Sequence, residues 1–111
     1  MLSPAFLSKL RSALPAHCVL NEREDLLPFE SDGLAAYRNV PDVVALPENE
    51  AQVAAVLQLC HENRVAVVAR GAGTGLSAGA LLVDGAVLLV LAKLNRIKAI
   101  DPLARTAVVE P

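Results

Sequence analysis

The chain has 111 residues, enough for one domain, or part of one, with a real hydrophobic core. Hydrophobic residues make up 54% of it but aromatic residues only 3%, so the core must be built from alanine, valine and leucine. The formal net charge is −2 and no cluster of lysine or arginine is present. Nucleic-acid-binding surfaces carry basic stripes and stacking aromatics, so we do not expect this protein to bind nucleic acid.

The hydrophobic stretches are short. The longest apolar run, residues 86–92, falls far below the roughly 20 residues that cross a bilayer, so no transmembrane segment is expected. The N-terminus lacks the basic and apolar regions of a secretion signal. Cys18 and Cys60 show no CxxC spacing, which favours a reduced, cytoplasmic setting.

One possible metal motif is His17 beside Cys18. No second Cys/His pair stands at ligand spacing, so the sequence predicts no metal site and assigns the two residues to a solvated loop.

Residues 1–40 form a lead-in segment that begins with a helix. Ser3 is a suitable N-cap and Pro4 a suitable first helical residue. Apolar residues recur at helical spacing until Pro15 ends the run; they are Phe6, Leu7, Leu10 and Leu14. The charged residues 21–25 follow as a helix-like or turn-like segment.

A strand–helix–strand unit with a parallel crossover comes next. Residues 43–46 and the apolar residues 65–69 are predicted as strands, the second of them fully buried. The helix between them is capped by Asn49, with Gln52 completing a capping-box-like pair. It carries a broad apolar face that includes Cys60, a buried hydrophobe, and it ends at Asn63 in the left-handed conformation.

Strands dominate the rest of the chain. Residues 87–91 read as a buried strand, and residues 97–100 and 105–110 as a hairpin around the turn Asp101-Pro102. This order predicts an α+β fold, with a βαβ unit followed by mostly antiparallel strands. The sequence stops directly after a strand, so we expect residues 41–111 to be the first part of a domain truncated at its C-terminus.

Residues 70–79 hold four of the six glycines and directly follow an apolar strand. Glycine lets a ligand approach the main chain, and successive N–H groups can converge on an anion. Arg70 adds a positive charge, and Thr74 and Ser77 add hydroxyl donors. The loop therefore predicts a site for a phosphate or pyrophosphate group.

Two common nucleotide-binding motifs fit this loop poorly. A Walker A loop needs a lysine before Ser or Thr, and residues 70–79 contain no lysine. Residues 73–78 match G-x-G-x-x-[G/A], but Gly79 and Asp84-Gly85 interrupt the helix that a Rossmann unit needs, and the next strand ends without an acid. A Rossmann-like or non-enzymatic nucleotide-binding module stays open as the alternative.

The loop and its flanking motifs resemble the PCMH-type FAD-binding domain of the FAD-linked oxidases, relatives of vanillyl-alcohol oxidase, in the branch of glycolate oxidase GlcD and D-lactate dehydrogenase. The resemblance runs from Asp32 to the end of the chain. Its motifs are Asp32-Gly33-Leu34, Tyr37-Arg38 with Pro41, Leu46-Pro47-Glu48, residues 52–57, Leu59-Cys60-His61, residues 67–80, Leu94-Asn95-Arg96-Ile97, Ile100-Asp101-Pro102 and Val108-Val109-Glu110-Pro111.

The resemblance implies a flavoenzyme that oxidises a D-2-hydroxy acid such as glycolate or D-lactate. The residues it assigns to the FAD pyrophosphate are Arg70, Gly71, Ala72, Gly73, Thr74, Gly75, Leu76 and Ser77. Some relatives link FAD covalently through a histidine in this loop; Thr74 stands there, which implies non-covalent FAD. Ala78 replaces a usual glycine.

The resemblance also sets expectations for the complete protein. It places catalytic residues beyond Pro111, so none is assigned here and the chain by itself is expected to be inactive. It implies a second flavin-type subunit and an iron–sulfur subunit as partners. Through them, an otherwise cytoplasmic protein would attach peripherally to the inner membrane.

Overall fold

Helices and strands alternate in the first part of the fold, and a separate hairpin follows. The computed structural model describes residues 2–26, 28, 42–71 and 85–111. The elements in chain order are α1 (Pro4–Ala13), a 3₁₀ turn (Ala16–Cys18), β1 (Val19–Leu20), α2 (Arg23–Leu26), β2 (Val43–Ala45), α3 (Glu50–Glu62), β3 (Val67–Arg70), β4 (Val87–Val90), β5 (Ile97–Asp101) and β6 (Thr106–Val109).

The main sheet has the order β1-β2-β4-β3. β2 and β3 both run parallel to β4, so the two strands of the βαβ unit flank a strand that comes later in the chain. β1, which is too short at two residues to show a sequence pattern, pairs antiparallel with β2. The α+β class is confirmed. Of the strands after the βαβ unit, β5 and β6 are antiparallel as predicted and β4 is parallel.

Both faces of this sheet are covered by hydrophobic residues. Alternate residues of β2 and β4, such as Val43 and Val87, face the core formed with α1 and α3. The intervening residues, such as Val44 and Leu88, pack with Leu26 of α2 in a second cluster. The alternation follows from the two-residue period of a strand, and burial on both faces explains the continuous apolar runs.

Helix α1 forms as its sequence predicts. The Ser3 hydroxyl accepts a hydrogen bond from the Phe6 N–H at 3.2 Å, and Pro4 occupies the first turn. Phe6 and Leu10 are buried against the sheet and α3, because helical spacing places them on one stripe. The predicted amphipathic helix is confirmed, and its stripe is part of the main core.

The predicted N-cap of helix α3 is confirmed, but the role of the Gln52 side chain and the position of the left-handed residue differ from the prediction. Asn49 accepts from the Gln52 N–H at 2.9 Å, while the Gln52 side chain accepts from the Glu48 N–H at 2.8 Å and not from Asn49. Asn63 has φ −98°, and the left-handed residue is Arg64, with φ 55°. The prediction for Asn63 was therefore wrong by one residue, because Asn63 instead donates its side-chain amide to the Leu59 carbonyl at 2.8 Å.

The apolar face of α3 is narrower than predicted. Val56 and Cys60 are buried, which confirms the assignment of Cys60 to the core, whereas Leu57 is 46% exposed. Among the described residues, no helix combines the length and apolar character that crossing a bilayer requires.

Strand β3 corrects the prediction of a fully buried strand over residues 65–69. It spans Val67–Arg70, its two valines are half-buried and Ala69 is exposed. Within the described part of the chain, β3 pairs with β4 on one side, whereas β4 lies between two strands and is buried throughout. Position in the sheet, and not composition, therefore explains why β3 is only half-buried whereas β4, of similar sequence, is buried.

The β5–β6 hairpin is confirmed and forms a separate two-stranded sheet. One Asp101 carboxylate oxygen accepts from the N–H groups of Leu103 and Ala104, both at 3.1 Å, and Arg105 completes the turn with φ 55°. The residues of both strands are exposed in this chain, and their register shifts between Ile97 and Ala99.

Candidate functional site

The carboxyl ends of β2, β3 and β4 meet at one edge of the sheet because the three strands are parallel. β3 ends at Arg70, and the Arg70 carbonyl accepts from the Leu91 N–H at 2.9 Å, immediately after β4. In open sheets with parallel strands, ligands bind outside this edge. The predicted phosphate loop therefore starts at the edge where a ligand is expected.

Arg70 is the last residue of β3 and lies inside the fold. It is only 5% exposed, although arginine is among the residues least often buried. A guanidinium stays protonated in proteins and presents five N–H donors. Arg70 thus places a permanent positive charge at the carboxyl edge, within the strand and not in the loop that the sequence suggested.

Gly71 follows Arg70 and faces open space. A Cβ added there would meet no atom within 4 Å, and its φ lies outside the left-handed region. Gly71 borders a cavity of about 360 Å³ between this edge and the base of the hairpin. The other lining residues are Leu91, Ala92, Leu94, Asn95, Arg96, Ile97, Val109, Glu110 and Pro111. An apolar cavity with a few polar groups is the usual form of a small-molecule site.

A neighbouring cavity of about 380 Å³ reaches Glu48 and the start of α3. Arg96 and Glu110 form an ion pair that lines both cavities. The Arg96 Nε donates to the Glu110 carboxylate at 2.8 Å. That hydrogen bond, together with the charge of Arg96, lowers the pKa of Glu110. The pair therefore stays ionised at neutral pH and adds both charge signs to the lining.

Of the predicted cofactor-binding residues, the structure describes Arg70 and Gly71. The other predicted cofactor-binding residues lie outside the described residues: Ala72, Gly73, Thr74, Gly75, Leu76 and Ser77. Tyr37 and Arg38 of the resemblance also lie outside them. Their roles remain predictions.

A second cluster of polar side chains, His17, Cys18 and Glu48, has no signature in the sequence. His17 Nε2 lies 3.1 Å from Glu48 Oε1, and the Cys18 thiol donates to the same oxygen at 3.4 Å. Cys18 is buried, so its assignment to a solvated loop was wrong, whereas His17 is exposed as predicted. Metal-binding motifs are recognised by Cys and His at short spacing, and Glu48 is 31 residues from His17.

The ionisation of this group follows from its surroundings. Burial raises the pKa of the Cys18 thiol, and the hydrogen bond to Glu48 raises it further. The hydrogen bonds from Cys18 and then His17 lower the pKa of Glu48. Burial also raises the pKa of Cys60, which fits its role in the core.

Comparison with known proteins gives a consistent set of similarities. Residues 41–111 match the family model described as "FAD binding domain". The chain is 49% identical over 105 residues to glycolate oxidase subunit GlcD of Escherichia coli (strain K12), covering 95% of this chain and 21% of that protein. It is 33% identical over 103 residues to D-lactate dehydrogenase of Anaerostipes hadrus, covering 90% and 21% respectively.

The fold is also found in solved structures. An alkyldihydroxyacetonephosphate synthase superposes with a TM-score of 0.81 at 18% identity, over 96% of this chain and 22% of that one. At this identity the likeness concerns the fold. The chain spans about a fifth of the length of the curated relatives it matches.

Proposed function

The chain belongs to the FAD binding domain family, and on this premise we propose that it holds the pyrophosphate of a non-covalently bound FAD within a D-2-hydroxy-acid oxidoreductase. The observation that carries the proposal is the pair Arg70-Gly71 at the carboxyl end of a parallel strand. A buried guanidinium is followed there by a residue with open space where a side chain would stand.

These two residues fit a diphosphate group. The guanidinium of Arg70 supplies a positive charge and directional donors, which suit phosphate oxygens. Gly71 lets the main chain come close to a ligand. Residues 72–77 would continue this contact through their N–H groups, and Thr74, with no nucleophilic imidazole, would leave the flavin unlinked.

When bound, FAD supplies the acceptor for a hydride from the substrate carbon. The contribution of this chain is binding and orientation. Arg70 would fix the diphosphate at the sheet edge, and Leu91 and Leu94 would give a bound flavin an apolar contact in the adjoining cavity, which they line. We assign no catalytic residue to this chain.

The substrate class is proposed from the relatives. Glycolate oxidase and D-lactate dehydrogenase are named for acids that share one chemical unit, a carboxylate beside a carbinol carbon. We propose that the complete protein oxidises an acid that contains this unit, with glycolate or D-lactate as the substrate. Since one relative is named as a subunit, we also propose partner subunits, a second flavin-type chain and an iron–sulfur chain.

Two further parts of the proposal concern organisation. We propose a lead-in segment at residues 1–40 and the flavin-binding unit from residue 41, although α1 and β1 share the main core with the sheet. We propose a cytoplasmic protein held at the inner membrane through its partners.

The test uses the complete protein that carries this chain. It should purify yellow, release FAD into the supernatant on acid precipitation, and lose its flavin colour anaerobically on addition of glycolate or D-lactate. Flavin retained by the precipitate would contradict non-covalent binding. Bound FAD that no 2-hydroxy acid reduces would favour the nucleotide-binding module over the oxidoreductase.

A further inference from the structure

We propose that His17, Cys18 and Glu48 form a binding site for a divalent transition-metal ion, with Zn²⁺ as the best-suited ion. The three side chains offer one imidazole nitrogen, one cysteine sulfur and one carboxylate oxygen, and all three atoms lie within 4.8 Å of one another. The ion would bind the sulfur as a thiolate, and the thiol proton would pass to solvent. The site is independent of the proposed flavin function.

Pairing of β1 with β2 creates this site. Val19 is opposite Ala45, and the Leu46 N–H donates to the Cys18 carbonyl at 2.7 Å. The antiparallel ladder therefore brings the turn before β1 beside the loop that follows β2. Residues separated by about 30 positions in sequence become neighbours because the two strands run in opposite directions.

The two separations from Glu48 Oε1 match those of ligands around one ion, and the third pair, His17 and Cys18, lies within 4.8 Å. Zn²⁺ binds sulfur at about 2.3 Å and nitrogen or oxygen at about 2.0–2.2 Å, so tetrahedral ligand atoms lie about 3.3–3.6 Å apart. His17 Nε2 and Glu48 Oε1 are 3.1 Å apart, and Cys18 Sγ and the same oxygen are 3.4 Å apart. An ion could enter with shifts of a few tenths of an ångström at these two separations, and the exposed imidazole is free to adjust.

The surroundings hold the ligands and leave a path from solvent. Cys18 is fully buried, and the Gln52 side chain holds the Glu48 backbone by accepting its N–H at 2.8 Å. The Gln52 oxygen lies 4.0 Å from Cys18 Sγ, near enough for it or a water to take a fourth position. The side chains of His17 and Glu48 are 63% and 41% exposed. Mixed sulfur and nitrogen ligands favour Zn²⁺ over Mg²⁺ or Ca²⁺.

The experiment measures metal binding by the complete protein after treatment with a chelator. Zn²⁺ affinity is measured by competition with a chromophoric chelator, and Co²⁺ is added separately as a spectroscopic probe. We expect thiolate-to-cobalt charge-transfer absorption that disappears in Cys18→Ser. His17→Gln and Glu48→Gln should each weaken Zn²⁺ binding by about tenfold or more, since even residues that only orient a ligand contribute that much.

Matched controls are His61→Gln and Cys60→Ala, which change the other histidine and the other cysteine of the chain. Both should leave the cobalt spectrum and the Zn²⁺ affinity unchanged. Because His17 is exposed, His17→Gln tests the site without threatening the fold. The proposal is overturned if the wild type shows no charge-transfer band, or if His17→Gln and Glu48→Gln bind Zn²⁺ as tightly as the controls. In that event the cluster is a hydrogen-bonded group without an ion.

Discussion

Arg96 and Glu110 are linked twice at the open end of the β5–β6 hairpin. The Arg96 Nε donates to the Glu110 carboxylate at 2.8 Å, and the Glu110 N–H donates to the Arg96 carbonyl at 2.9 Å. The Glu110 side chain is 9% exposed, whereas that of Arg96 is 78% exposed. This contact fixes the hairpin base beside the two cavities of the carboxyl edge.

The first prediction concerns the pH dependence of this contact. Since folding lowers the pKa of Glu110, the ion pair contributes stability above the ordinary carboxyl pKa of about 4.3, and this contribution is lost as pH falls through the lower folded value. Hydrogen-exchange protection factors of the hairpin amides should fall on acidification. Glu110→Gln should reduce that dependence, and Glu24→Gln, at an exposed carboxylate, should not. Identical profiles for Glu110→Gln and the wild type would contradict the role of the pair.

The second prediction tests the packing of α1 on the sheet. Leu10 is completely buried in the main core, so Leu10→Ala should lower the free energy of unfolding by about 2–5 kcal/mol through lost burial and the remaining cavity. The same truncation at Leu57, which is 46% exposed, should have a smaller effect. Chemical denaturation of the complete protein gives both values. Equal effects would mean that α1 is not part of the core.

The third prediction uses the left-handed residue after α3. Arg64 has φ 55°, which costs a residue with a Cβ about 1–2 kcal/mol and glycine much less. Arg64→Gly should therefore raise the free energy of unfolding by up to about 1 kcal/mol, because the entropy cost of glycine offsets part of the relieved strain, whereas the β-branched Arg64→Val should lower it. Denaturation midpoints provide the measurement. A lower midpoint for Arg64→Gly would argue against the left-handed conformation.

The fourth prediction separates folding from flavin binding. A Cβ at Gly71 meets no protein atom within 4 Å, so Gly71→Ala should fold normally. If the FAD diphosphate approaches this backbone, the added methyl group should reduce the flavin content of the purified protein, and a bulky residue at Gly73 should abolish it. Ala104→Val, in the exposed hairpin turn, is the control and should keep its flavin. Normal flavin content in both glycine variants would refute the assignment of the loop.

The sequence by itself determined the local elements of the fold. The caps at Ser3 and Asn49, the apolar stripe of α1 and the turn at Asp101 all appear where residue types and spacing predict them. These features depend on interactions within a few residues, so neighbouring side chains are sufficient to specify them. The glycine-rich loop after β3 was also evident from sequence, and the family match over residues 41–111 agrees with the flavin interpretation.

The tertiary structure decided which residues meet across long separations. Similar apolar sequences became the half-buried β3 and the fully buried β4 because only the latter lies between two described strands. Pairing of β1 with β2 brought Glu48 to His17 and Cys18, a contact that no local spacing encodes. Likewise, nothing in the local sequence indicates that Arg70, at the end of the half-buried β3, is only 5% exposed. Strand order depends on the packing of the whole core, so only the tertiary structure shows which side chains meet at the edges of the sheet.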